Sequence, residues 1–274
     1  MKYHEEYYSN LGNLKVEEFV ERKLLNELQL ERINRTIAFF PEDIMSVLDV
    51  GAGYGVLLEL LEKQRNIKGV GVEIADVMIA YGRSRGVDLR KGDASQLEFP
   101  DNSFDIVVAT EVIEHLPFGI YEKTLSEFER VSRKYIVISV PYNEKRIFVR
   151  CPYCSAIVNN TYHLRSFTIE SMHNLFSNAK LVRIELIGQA PIVPFMGLLN
   201  KIRNKWPPLL ICPVCGYREE TTYVNNATKM EQSLLKNGII SSSLKMSKGI
   251  VKKLLSLMGL KKPRWILALY SVVK

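Results

Sequence analysis

Short apolar runs alternate with helical stretches through the middle of this chain. The runs lie at 46–50, 69–74, 87–90, 104–110 and 135–140, and residues 55–64, 75–85 and 119–132 between them carry helix-like spacing. Strands that read apolar throughout, separated by helices, predict an α/β fold with a parallel sheet covered on both faces. Ahead of them, Val16, Phe19, Val20, Leu24, Leu28 and Leu30 fall at helical intervals among charges, so 15–40 predicts a helix that Pro41 ends. Beyond them, 167–179 predicts a helix with Ile169, Met172, Leu175 and Phe176 on one face, and 181–187 alternates as a strand does. The last apolar run, 265–273, is rich in β-formers. Between 189 and 263 the rhythm breaks on Pro191, Pro194, Pro207, Pro208, a serine run at 241–243 and many lysines. That stretch predicts a long insertion between the last two strands, with some order of its own.

Composition narrows the class. A chain of 274 residues, 47% hydrophobic and 24% charged, is one large domain or one domain with a substantial insertion. It is too apolar to be disordered throughout, and 16 Gly with 11 Pro exclude a collagen-like or low-complexity chain. No run of about 18 uncharged apolar residues predicts a spanning helix. Met1–Glu6 lacks the apolar segment of a signal peptide, so the expected compartment is the cytoplasm. The net charge of +7 is uneven: 189–274 holds 14 Lys and Arg against 3 Asp and Glu, and 1–188 is net acidic. A basic C-terminal third points to an anionic partner or to plain solubility.

The first strand runs into Leu48-Asp49-Val50-Gly51-Ala52-Gly53-Tyr54-Gly55. Glycines at such a turn let the chain reverse tightly and let a ligand approach the backbone. The dinucleotide fingerprint needs its third glycine one residue later, where Val56 stands. Asp49, inside the strand, suits an ammonium or sulfonium group better than a pyrophosphate. With these details the sequence resembles the class I S-adenosylmethionine-dependent methyltransferases. The loop is similar to their first motif, and residues 97–117 (LEFPDNSFDIVVATEVIEHLP) closely resemble their fourth-strand signature. The resemblance covers 46–142 strongly and 160–188 with 264–273 more loosely.

The resemblance implies a Rossmann-like, seven-stranded, mostly parallel sheet whose final strand is antiparallel and follows a sixth parallel one. It implies S-adenosylmethionine as cofactor, held by Asp49, Gly51, Gly53, Gly55, Glu73, Asp93, Ala94 and Glu111. Glu73 would meet the ribose hydroxyls, and the 92–94 turn the adenine. On this scheme 1–45 is a helical cap, and 46–188 with 264–274 is the core. Segments 143–162 and 189–263 are insertions at the ligand edge, which form a cover over the substrate.

Cys151-Pro-Tyr-Cys154 and Cys212-Pro-Val-Cys215 repeat one motif. Two Cys-x₂-Cys knuckles read as four thiolates around one structural Zn²⁺, with no open position for substrate. Both pairs leave the same sheet edge, so they can meet. A redox pair is the rival reading, because CPYC also suits thiol exchange, but no thioredoxin-type unit surrounds it. Two disulfides are the remaining alternative.

Methyl transfer needs alignment, and an oxygen or nitrogen acceptor can also need a base. Glu114, His115 and the later His163 are the candidate catalytic residues. The Glu111-x-x-Glu114-His115 set with a downstream His also resembles the divalent-metal site of small-RNA 2′-O-methyltransferases, which makes Mg²⁺ or Mn²⁺ a further candidate. Packing alone could also account for Glu114 and His115. Tyr3, Tyr7 and Tyr8 could form a lid or simply sit on a helix surface. In the insertion, Ile250, Val251, Leu254, Leu255 and Met258 line one face of a basic amphipathic segment, and 194–206 adds Phe195, Leu198, Leu199 and Trp206 beside Lys201, Arg203 and Lys205. Such segments suit a membrane interface better than nucleic acid, which would favour aromatics interleaved with Arg. The expectation is methyl transfer to a hydroxyl or amine of a small, sugar-like or lipid-linked acceptor, with peripheral membrane contact through 194–206 and 244–262. An RNA methyltransferase and a non-catalytic cofactor-binding module are the alternatives.

Overall fold

A computed structural model describes residues 27–191, 212–217 and 261–273. In chain order the elements are α1 (Glu27–Ala38), β1 (Val47–Val50), α2 (Val56–Arg65), β2 (Val70–Glu73), α3 (Asp76–Ser84), β3 (Asp88–Lys91) and β4 (Phe104–Thr110). A 3₁₀ turn at Ile113–His115 leads to α4 (Ile120–Val131), β5 (Ser132–Pro141), β6 (Phe148–Arg150), β7 (Ile157–Asn159), α5 (Ile169–His173), β8 (Ala179–Pro191) and β9 (Lys261–Val272).

Seven strands form one sheet in the order β3-β2-β1-β4-β5-β9-β8. The first five run parallel, and β9 pairs antiparallel with both β5 and β8. The last strand in the chain therefore sits inside the sheet, between β5 and β8. Consecutive side chains of a strand point to opposite faces, and here both faces are buried. Val107, Ala109, Ile136, Ile138, Ile266 and Tyr270 pack under α4 and α5, with Phe128, Met172 and Leu175. Their neighbours Ile106, Val108, Val137, Leu267 and Leu269 pack on the other face, with Ile33 and Ile37 of α1 and Leu57, Leu58 and Leu61 of α2. The Tyr270 hydroxyl, buried in the first layer, donates to the Met172 carbonyl at 2.7 Å, so its polar end is satisfied.

The helix expected at 167–179 is shorter than its apolar spacing suggests. Thr168 caps α5, accepting from the Ser171 amide, and the helix ends at His173. Ile169 stands 36% exposed while Met172 is buried, and Ala179 already belongs to β8. Pairing with β9 claims the end of that segment for the sheet, where Ala179 pairs with Val272. The 143–162 segment holds a two-stranded hairpin, β6–β7, apart from the main sheet. The expected helix over 15–26, Tyr3, Tyr7 and Tyr8, and the basic amphipathic stretches at 194–206 and 244–260 lie outside the described residues. No helix among the described residues is long and apolar enough to cross a membrane.

Candidate active site

The turn after β1 is built on three glycines with positive φ: Gly51 (72°), Gly53 (54°) and Gly55 (76°). The Gly51 and Ala52 amides donate to the Val72 carbonyl at 2.8 and 3.1 Å, tying the turn to β2. A Cβ on Gly51 would come within 2.4 Å of a Val112 methyl, so the turn is pressed against the segment after β4. Around Gly53 nothing would meet a Cβ within 4 Å; its backbone lies open to a cavity.

That cavity, of about 740 Å³, sits at the carboxyl ends of β1, β2 and β4, the place where open α/β sheets bind ligands. Asp49, Gly51, Gly53, Glu73, Asp93, Ala94 and Glu111 line it, as the sequence reading expects. Gly55 is not in its wall. It serves instead as the left-handed residue that starts α2. Glu73 ends β2 and is buried. One of its carboxylate oxygens accepts from the Gly53 amide at 2.8 Å, the other from Ile74 and Ala75 at 2.7 and 3.0 Å. The Asp93 carboxylate accepts from the Ser95 amide and hydroxyl, both at 2.8 Å, which holds the 92–94 turn.

Two buried carboxylate oxygens on the cavity wall, Asp49 Oδ1 and Glu111 Oε1, have no hydrogen-bond partner among the described residues. Burial pushes the Asp49 carboxyl up to about 7, with Glu73 adding to the rise and Arg32 opposing it. Burial likewise holds Glu73 above the usual carboxylate range. The same cause raises Glu111, against the pull of Arg32 and a hydrogen bond from Trp265. Glu111 also takes a φ of 60°, a conformation rare outside glycine and common at functional sites. A pocket with unpaired buried carboxylates favours a cationic guest.

Arg32 is a buried residue of the cavity wall that sequence reasoning misses. It stands on α1, 9% exposed, in the wall of this cavity, with Gln29 and Ile33 beside it. Its guanidinium lies 5.4 Å from the Trp265 ring centroid, and Nε donates to Gln29 at 3.1 Å. Its Nη1 has no partner among the described residues. Only its place on the buried side of an amphipathic helix could have flagged it.

Glu114, His115 and His163 converge outside the cavity wall. A carboxylate oxygen of Glu114 and one ring nitrogen of each histidine lie within 4.8 Å of one another. The two imidazoles meet edge-on at 4.6 Å. Glu114 has no accessible surface, and both its oxygens lack a hydrogen-bond partner among the described residues. Burial and the Glu111 carboxylate hold it well above the usual range. From that position it faces its neighbours rather than solvent. Glu111 is not in this cluster; it faces the cavity instead.

The four cysteines also meet. Cys151 Sγ lies 3.8 Å from Cys215 Sγ, and Cys154 Sγ 3.6 Å from Cys212 Sγ, with all four within 4.8 Å. These spacings are far beyond a disulfide bond of about 2.05 Å, and all four thiols are free. The two knuckles repeat one fold. The Cys151 amide donates to Ala156 O and the Cys212 amide to Tyr217 O, both at 2.8 Å. The residue after each pair, Ser155 or Gly216, is left-handed, with φ of 60° and 71°. Tyr153 and Tyr217 stack at 6.1 Å between ring centroids.

Comparison with known proteins follows the same lines. A methyltransferase-domain family matches residues 48–137. A phosphatidylethanolamine N-methyltransferase of Cereibacter sphaeroides is 30% identical over 169 residues, 57% of this chain and 78% of that one. A sterol 24-C-methyltransferase of Aspergillus fumigatus is 37% identical over 89 residues, 29% of this chain and 24% of that one, so the chain spans about a quarter of that relative. The solved structure of an S-adenosylmethionine-dependent methyltransferase from Archaeoglobus fulgidus superposes with a TM-score of 0.53 at 19% identity, covering 94% of this chain and 99% of that one. At that identity the likeness is one of fold.

Proposed function

Because this chain belongs to the S-adenosylmethionine-dependent methyltransferases, we propose that it methylates a hydroxyl or amine of a small, sugar-like or lipid-linked acceptor at the edge where β4 and β5 end. The observation that carries the reading is the pair of buried carboxylates, Asp49 and Glu111, each with one oxygen that has no hydrogen-bond partner among the described residues, on the wall of a cavity that also holds Glu73. When bound, the donor supplies a methyl group carried on a positively charged sulfur. Glu73 would hold the ribose hydroxyls, and Asp93 with Ala94 the adenine. Asp49 and Glu111 would face the positive charge, and the Arg32 guanidinium suits the donor's carboxylate. His115 and His163 stand on the acceptor side, where they would set the protonation of the nucleophile. The phospholipid named in the Cereibacter relative supports a lipid-linked acceptor; the sterol relative supports an apolar one. In this reading the enzyme works in the cytoplasm and touches the membrane surface peripherally through 194–206 and 244–262.

The four thiols suit a structural Zn²⁺. A tetrahedron with Zn–S of about 2.3 Å has edges of about 3.8 Å, and the two cross-pair spacings are 3.8 and 3.6 Å. Such an ion would staple the second knuckle, far along the chain, onto the hairpin of the first. Elemental analysis of reduced protein should give one zinc per chain, and none in a folded protein would remove this assignment.

A second reading concerns a divalent cation at Glu114, His115 and His163. It is favoured by the convergence of these donors and by the two oxygens of Glu114 that lack a hydrogen-bond partner among the described residues. Mg²⁺ or Mn²⁺ there would suit an RNA 2′-hydroxyl as acceptor. It loses its support if added Mn²⁺ changes neither activity nor melting temperature.

The experiment is incubation with methyl-tritiated donor and a cell extract, then counting of the organic, small-molecule, RNA and protein fractions. Label in the organic or small-molecule fraction is the expected result. Label in RNA would replace the first reading with the second.

A further inference from the structure

We propose that Glu144 is a positioning residue for His163, and that the hairpin bearing the first cysteine pair is the frame holding the two together. This deepens the reading of the acceptor side and rests on it. The Glu144 carboxylate contacts His163 Nδ1, and His163 is 9% exposed. A carboxylate accepts and does not donate, so in the neutral ring the proton sits on Nδ1. Nε2 then keeps its lone pair. That is the nitrogen left to take a proton from an acceptor or to ligate a cation, so Glu144 matters under either chemistry.

The two partners lie nineteen positions apart in sequence, and the hairpin closes that gap. Its two sides are joined from the sheet outwards. The Asn143 amide donates to Phe167 O at 2.8 Å, Arg146 Nη1 to Leu164 O at 2.8 Å, and the Asn160 amide to Ile147 O at 3.0 Å. Strands β6 and β7 continue the ladder to the cysteine tip. Asn159, buried on β7, donates through Nδ2 to the His163 carbonyl at 2.9 Å. Three consecutive residues then engage three different elements. Tyr162, at a φ of 61°, packs on the buried core of Cys151 and Cys212. His163 meets Glu144 and His115, and the Leu164 amide donates to the Glu114 carbonyl at 2.7 Å. The cysteine cluster is thus one residue from the imidazole that the acceptor would meet, which gives the knuckle a part in the chemistry beyond stapling an insertion.

The test is a long-range proton–nitrogen spectrum of zinc-replete protein labelled with ¹⁵N-histidine, with His163→Asn to assign the ring. Wild-type His163 should show Nδ1–H. Glu144→Gln keeps the size but offers an amide that can donate to Nδ1, so the proton should move to Nε2. The rate of tritium transfer into the labelled fraction should fall about tenfold or more, while S-adenosylhomocysteine affinity by calorimetry and the melting temperature stay at wild-type values. Glu144→Ala should lose rate alike. A wild-type ring carrying Nε2–H would overturn the proposal, as would Glu144→Gln with unchanged tautomer and rate. Failure of wild-type protein to bind S-adenosylhomocysteine would instead sink the donor site and leave the tautomer result standing.

Discussion

Asp49→Asn separates the charge of the donor pocket from its shape. The Asp49 carboxyl is 2% exposed, shares the cavity with Glu73, and titrates near 7. Below that value it is neutral and gives a sulfonium little attraction; above it the anion is present. At pH 6 about one tenth of the protein carries the anion and at pH 8 about nine tenths. The affinity for S-adenosylmethionine should therefore be about tenfold weaker at pH 6 than at pH 8, and binding near neutrality should release a proton. The sign for stability is opposite. A carboxyl raised above its unfolded value of 3.8 stabilises the fold when protonated, and this contribution is lost as pH rises from about 4 to 7. The difference between 3.8 and 7 corresponds to at most about 4 kcal/mol. Asp49→Asn, neutral at every pH, should melt higher than wild type at pH 8 without ligand, yet bind donor more weakly. Calorimetry at both pH values, with wild type and variant in the same buffers, reads the effect, because the ligand's own titration cancels in the difference. An equal pH slope in both proteins refutes the reasoning.

Glu73→Ala removes the acceptor of three backbone amides and the proposed partner of the ribose; donor affinity should drop at least about 100-fold by calorimetry, since hydrogen bonds to a charged group contribute about 1.5–3 kcal/mol each. Gly51→Ala places a Cβ 2.4 Å from a Val112 methyl at a φ of 72°, and should cost about 1–3 kcal/mol in chemical denaturation. Ser155→Gly relieves a left-handed serine at the position Gly216 fills in the twin knuckle, and should stabilise by up to about 1 kcal/mol in the same assay.

The cofactor side was legible because its code is local. Gly51, Gly53 and Glu73 sit at fixed offsets from strand ends, and strands with both faces buried read as apolar runs. The four cysteines were legible as one cluster because strand order alone brings both loops to one edge. Arg32 was not, since a cation on an amphipathic helix reads as solvated until the helix is seen to cover a cavity. Glu144 was hidden for a related reason. Its partner lies nineteen residues on, and β6 and β7, three residues each, are too short to show a period. The inward turn of Glu114 also escaped the sequence, where an acid beside a histidine suggests exposure to substrate.

The place of β9 inside the sheet has a consequence for biosynthesis. β8 is complete at Pro191, but its partner begins only at Lys261. Until that strand is translated, β5 and β8 both present bare edges, and the two layers stay open, one completed by Tyr270 and the other by Trp265. Bare edges of that kind template intermolecular pairing. A message truncated ahead of codon 265 therefore yields an aggregating product rather than a weakened enzyme, although every residue proposed here for donor and acceptor precedes that point.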